Sequence, residues 1–170
     1  SLAGTGTLGP VTDLSANSKD PAVYGVYTAP LTAPTKVGSG TVSAVVNGVA
    51  IVQTATVTYA PGPATHFSIA GVPDPIQAGT LCGATITALD QFDNVATDYN
   101  LVASLTLTGT KGPNGASAGP EELILDFANT ATPGIVTPSQ AIAFGAVGEQ
   151  TATATGPDPT DPTKTITGTL

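Results

Sequence analysis

The sequence predicts an all-β protein made of antiparallel sheets, each with one wet and one dry face. Three observations lead there. Threonine alternates with aliphatic residues: Thr54, Thr56 and Thr58 point one way and Ala55, Val57 and Tyr59 the other, and the pattern recurs at residues 84–88 and 151–155. Side chains on a strand alternate between faces, so this period separates a polar set from an apolar one. An Asn47-Gly48 pair separates two β-type runs within residues 41–59, and it suits a two-residue hairpin turn because both positions need positive φ. Twenty Gly and fifteen Pro punctuate the chain, as many short strands require, and no window sustains a helical period.

Taken in order, residues 1–20 are rich in Gly, Thr, Ser and Asp, with a short strand near Thr5–Leu8. Strands follow at Gly25–Leu31, Thr41–Asn47 and Val49–Tyr59. Ala60-Pro61-Gly62-Pro63-Ala64 cannot continue a central ladder and reads as a linker. The pattern then restarts, with strands at Thr65–Val72, Thr80–Leu89, Leu101–Thr108, Glu122–Phe127, Gln140–Ala146, Thr151–Thr155 and Lys164–Leu170. Their inward residues are Phe67 and Ile69, then Ala84, Ile86 and Ala88, then Leu101, Ala103, Leu105 and Leu107. Leu123, Leu125 and Phe127, Ile142 and Phe144, Ala152 and Ala154, and Ile166 complete the set. Seven short strands separated by turn signals are the mark of an immunoglobulin-like sandwich.

Residues 25–42, from Gly25-Val26-Tyr27-Thr28-Ala29-Pro30-Leu31 to Gly38-Ser39-Gly40-Thr41-Val42, resemble the back half of a bacterial Ig-like repeat of the invasin/intimin type. Ala84-Thr85-Ile86-Thr87-Ala88-Leu89-Asp90, continuing to Asn94-Val95-Ala96-Thr97-Asp98-Tyr99, resembles a stretch of related repeats in large prokaryotic surface proteins. Residues 150–155 and 166–169 resemble the end of such a unit. The first likeness covers about residues 22–60 and the second most of residues 64–170; Asp93 departs from the pattern, which has Gly there. The resemblance implies tandem immunoglobulin-like β-sandwiches, a partial unit over 1–60 holding the last strands of a sandwich and a second unit over 61–170. The first has no room for its opening strands, and the second stops at Leu170 where its last strand would normally continue. The expectation is a piece of a longer chain, or strands supplied by another chain. A start at Ser1 without Met predicts a processed product or internal fragment.

Composition narrows the function. The chain has 170 residues, 41% hydrophobic but only 5% aromatic, with no Trp or Met, so the core must be built of Ala, Val, Ile and Leu. The net charge is −8, and the four basic residues are Lys19, Lys36, Lys111 and Lys164, scattered along the chain. Nucleic-acid binding needs clustered cations, so neither DNA nor RNA is expected as a partner. No segment is apolar and long enough for membrane insertion. Cys82 is the single cysteine, so no internal disulfide forms, and it reads as a small buried hydrophobe.

The densest polar cluster is Asp90-Gln91-Phe92-Asp93-Asn94, with Asp98 and Asn100 behind it. Asp90, Asp93, Asn94 and Asp98 are the candidate calcium ligands, since that ion takes about six to eight oxygens. The same residue types form turns, which is the favoured reading. Asp158 and Asp161 alternate with prolines and read as a rigid solvated loop. Glu121 and Glu122 are neighbours, so a strand would point them to opposite faces. His66 is the only histidine and has no nucleophile elbow to work with. Tyr24, Tyr27, Tyr59 and Tyr99 are read as packing residues rather than a sugar platform, with Tyr27 and Tyr59 inward.

The expected function is a non-catalytic structural module of a prokaryotic cell-surface or extracellular protein: a stalk, adhesin or filament subunit, assembling by strand complementation. Its partners are neighbouring Ig-like domains or copies of the same chain. The alternatives are a module binding a glycan or surface receptor, or an accessory domain of a secreted hydrolase.

Overall fold

The computed structural model describes residues 2–4, 6–140 and 142–170. Two compact units divide the chain, Ser1–Ala60 and Pro61–Leu170. Apart from one 3-10 turn, Pro21–Val23, every regular element among the described residues is a strand.

The first unit runs β1 (Leu2–Gly4), β2 (Thr7–Leu8), β3 (Thr12–Asp13), β4 (Tyr27–Thr28), β5 (Leu31–Thr32), β6 (Gly38–Val42), β7 (Val45–Val46), β8 (Val49–Ala50) and β9 (Ala55–Tyr59). Its main sheet has the order β1-β6-β9, all antiparallel, and β2–β5 and β3–β4 form two small flanking pairs. Asn47 and Gly48 take φ of 52° and 82°, as the two-residue turn requires, and close β7 onto β8. The expected long strands are broken. Pro30 divides the strand expected over residues 25–31, because proline has no N–H for a ladder. Between the pairs Val42↔Ala55 and Val45↔Ala50, two residues on one strand face four on the other, and the ladder stops. Of the strand expected near Thr5–Leu8, Thr5 lies outside the described residues and Thr7–Leu8 is β2.

Burial in this unit departs from the alternation. Among its described residues only Gly40 and Tyr59 are buried, while Ala55 and Tyr27, both expected inward, are exposed. One sheet cannot hide its own face, and the described residues of this unit supply no second layer over Ala55. Tyr59 pairs with Gly38 across the ladder, and its ring packs against Gly6, where a Cβ would lie 2.7 Å from the Tyr59 hydroxyl.

The second unit comprises β10 (His66–Ala70), β11 (Thr85–Leu89), β12 (Val102–Leu107), β13 (Glu122–Asp126), β14 (Ile135–Val136), β15 (Ala152–Pro157) and β16 (Thr165–Thr169). They form two antiparallel sheets of order β10-β11-β14 and β13-β12-β15-β16. This is an immunoglobulin-like sandwich. The inward set read from the sequence makes its core: Ile86, Leu105, Leu125, Ile142, Ala152 and Ala154 are fully buried. Leu101 and Ile69 are partly buried against them. β16 pairs with β15 along its whole length. It also runs close to β10: a Cβ at Gly168 would collide with the Phe67 carbonyl.

Two expected strands differ. Thr80–Leu89 is a strand only from Thr85, and Cys82 makes a lone bridge to Ile142. Gln140–Ala146 is not a strand; the place in the ladder beside β11 goes to Ile135–Val136. The reason is that residues 142–146 cross from one sheet toward the other. Ile142 exchanges both backbone bonds with Cys82 (2.9 and 2.8 Å), and then Gly145 and Ala146 donate to the Gly109 carbonyl (2.8 and 2.9 Å) beyond the end of β12. A segment bonded first to one layer and then to the other forms no ladder, yet it still buries Ile142 and Phe144.

Candidate functional site

The most developed polar arrangement lies where the second unit begins. Pro61-Gly62-Pro63 has a single backbone N–H, on Gly62, and it donates to Asp90 Oδ2 at 2.9 Å. Asp90 sits just past the end of β11 and is 1% exposed. Its Oδ1 accepts from the backbone N–H of Phe92 (2.8 Å) and Asn94 (3.0 Å). The Asn94 amide donates to both carboxylate oxygens (3.2 and 3.0 Å). Burial alone would raise the Asp90 pKa, but these donors outweigh it and hold the carboxyl well below the usual range. The carboxylate thus closes the turn after β11 and fastens the linker to it. Thr65 continues the attachment by donating its N–H to the Leu89 carbonyl at 2.7 Å.

Asp93 has φ 60° in this turn. That is left-handed backbone, which glycine adopts without cost, and it explains why the resembled repeats carry Gly at this position. Asp93 also reaches His66, with Nε2 to Oδ1 at 3.1 Å, while His66 Nδ1 lies 3.1 Å from Thr65 Oγ1. Thr, His and Asp are therefore in line on the surface. Thr65 Oγ1 is 3.5 Å from the Leu89 carbonyl as well, so its hydroxyl is shared between a backbone acceptor and the ring, and the trio braces the start of β10.

Of the four residues named as calcium ligands, the structure brings Asp90, Asp93 and Asn94 into one turn, with Asp90 oxygens already taken by N–H donors. Asp98 lies exposed further along. Among the described residues no group of three or more His, Cys, Asp or Glu is placed to hold a metal ion. Asp158 and Asp161 each cap their own loop: Asp158 Oδ1 accepts from the Thr160 N–H and hydroxyl, both at 2.7 Å, and Asp161 accepts from Thr163 and pairs with Lys164 at 3.0 Å. Glu121 pairs with Lys111 at 2.6 Å, and Glu122 begins β13. Burial pushes the Cys82 thiol up, away from the reactive thiolate.

Tyr99 is buried and donates to the Pro157 carbonyl at 3.1 Å. Its ring packs edge-on against Phe67 (5.4 Å) and Phe127 (5.0 Å), which stack on each other at 5.6 Å. Tyr24 and Tyr27 are exposed. A groove of about 520 Å³ lies in the second unit, lined by Val72, Ile76, Phe144 and Val147 with Asp74 and Glu149 among them. Sequence reasoning missed the role of Gly62. The signal was present, since a lone N–H between two prolines must find an acceptor once it is taken out of water.

The second unit is thus a β-sandwich whose entry linker is fastened to the turn after β11. Residues 2–62 match the family model of Invasin, domain 3, and the match ends inside the fastened linker. The first unit is therefore similar to an invasin/intimin-type Ig-like domain. No curated protein matches the chain, and no solved structure does.

Proposed function

We propose that the chain is a non-catalytic structural module of a prokaryotic cell-surface or extracellular protein, part of a stalk, adhesin or filament. The observation that carries this reading is the Asp90–Gly62 attachment at the boundary of an invasin-type unit. The bond fixes the first residues of the second unit to its own sandwich, directly after a unit that matches Invasin, domain 3, as a chain of consecutive modules requires. Surface chemistry agrees, because solvent-facing Thr with few Lys gives trypsin-like proteases little to cut. No helix among the described residues is long and apolar enough to cross a membrane.

Assembly by strand complementation belongs to the same reading. Among the described residues β1 and β9 are the edge strands of the β1-β6-β9 sheet, and a strand from a neighbouring domain or another copy would extend it there. Negative-stain electron microscopy with size analysis of the isolated chain tests this. The expected outcome is extended or associated particles. Uniformly compact, globular monomers would sink it.

A second reading, a glycan- or receptor-binding module, has one observation in its favour: Tyr24 and Tyr27 flank residues 25–26 with both rings exposed. Aromatic faces of this kind stack on sugars. A glycan array, repeated with Tyr24→Ala and Tyr27→Ala, separates it from the first reading.

A further inference from the structure

Residues 37–65 contain no Asp, Glu, Lys or Arg. Within them, β7 and β8 form a ribbon that pairs Val46 with Val49 and Val45 with Ala50. Every residue from Ala44 to Val52 is exposed, with Val49 at 68% and Val52 at 92%. Side chains alternate between faces, so Val46 and Val49 share one face of the ribbon and Val45 and Ala50 the other, with exposed Ile51 and Val52 following β8. Both faces are apolar. Elsewhere in this chain a strand offers Thr to water and an aliphatic set to the core, whereas a strand apolar on both faces is the pattern of one buried on both sides. Among the described residues β7 and β8 pair only with each other, leaving both ribbon edges open. The usual guards of such edges, charge and proline, are missing between Val37 and Ala60.

Charge indicates what covers the ribbon. Residues 1–60 carry Asp13 and Asp20 against Lys19 and Lys36 and are neutral, so the whole net charge of −8 belongs to residues 61–170. Two copies approaching through their first units meet no net repulsion, while approach through the acidic second units is opposed. The first unit also needs what the ribbon offers: its sheet buries only Gly40 and Tyr59 among the described residues. We propose that the hairpin Val45–Val52 is a self-association element that packs against the first unit of a second copy. This deepens the assembly reading above and rests on it.

The test is sedimentation velocity of the full chain over a wide concentration range, with V46K/V52K and, as a control in the second unit, V147K. The changed side chains are exposed, and an unchanged circular-dichroism spectrum establishes that the double variant folds. Wild type and V147K are expected to gain mass with concentration. V46K/V52K should stay monomeric, its dissociation constant raised by about tenfold or more, because the contact would bury unpaired ammonium groups. A wild-type chain that stays monomeric at every concentration overturns the proposal. Association of V46K/V52K equal to wild type also overturns it, but leaves assembly through another surface standing. Flotation of monomeric chain with phosphatidylcholine vesicles, lost in V46K/V52K, would assign the ribbon to a lipid surface and overturn the second-copy assignment.

Discussion

The Gly62 N–H and the Asp90 carboxylate, 28 residues apart in sequence, meet at 2.9 Å where the first unit gives way to the second. The same carboxylate serves the Phe92 and Asn94 N–H groups. Replacing Asp90 with Ala strands all these donors in a buried site. The expected loss is about 2–4 kcal/mol of second-unit stability, and Asp90→Asn, which keeps one acceptor oxygen, should lose about 1–2 kcal/mol. Urea unfolding followed by tyrosine fluorescence measures both. Limited digestion with a protease of broad specificity should show new cleavage near residues 60–64 in the Ala variant.

The depressed Asp90 pKa gives the protein an acid limit. Desolvation opposes the charged form, but the Asn94 side chain and the Gly62, Asn94 and Phe92 N–H groups overcome it. A folded pKa below the unfolded value of about 3.9 means that the stabilisation is present above that pH and is lost as pH falls through the folded value. Stability should therefore drop below about pH 4, and the drop should be shallower in Asp90→Asn. Unfolding free energies measured from pH 6 downward check the sign.

Tyr99 sets the alkaline limit. Burial, together with the negative charge of Asp158, pushes its pKa up to about 12. The folded value exceeds the unfolded value of about 10, so its contribution is complete below pH 10 and disappears as pH rises towards 12. Tyr99→Phe should remove this alkaline loss. At neutral pH it should cost about 1 kcal/mol, because the Pro157 carbonyl loses its donor. Spectrophotometric titration of tyrosine ionisation alongside unfolding distinguishes the two effects.

How much of this was legible in the sequence depended on the layer count. In the second unit the period of two assigned Ile86, Leu105, Leu125 and Ala154 to the interior correctly, because two sheets exist to bury one face each. In the first unit the same period at Ala55 and Val57 failed at Ala55, because alternation says which side a residue takes and not whether anything covers that side. The strand expected at residues 140–146 failed for another reason: its apolar residues do enter the core, but on a segment that changes sheets. The turn at Asp90–Asn94 was legible from its residue types. The partner of its carboxylate was not, since no local pattern reports a contact between positions so far apart in the chain.

The shortage of burial in the first unit makes it the labile part. Amides of β6 and β9 should exchange with deuterium faster than those of β11, β12 and β15, whose side chains fill the second core. Tyr59 adds a sharper test. Its hydroxyl is buried without a hydrogen-bond partner among the described residues. Removing an unsatisfied buried group is favourable, so Tyr59→Phe should leave the first unit unchanged or more stable, by up to about 1 kcal/mol. Exchange rates in β6 and β9 read this directly, and a marked acceleration would contradict it.

Asp93 sets two opposing effects at one position. Its φ of 60° costs an L-residue about 1 kcal/mol, somewhat less for Asp, which tolerates this region. In return its carboxylate pairs with His66, but the pair is mostly exposed, and such surface contacts contribute about 0–1 kcal/mol. Asp93→Gly relieves the backbone and forfeits the pair, so the two terms nearly cancel, with a small net gain where salt screens the pair. Asp93→Ala forfeits the pair and keeps the strain, and should lose about 1 kcal/mol. Comparing both variants at low and high salt separates backbone from charge. If Asp93→Gly were the less stable of the two at high salt, the strain argument for this turn would fail.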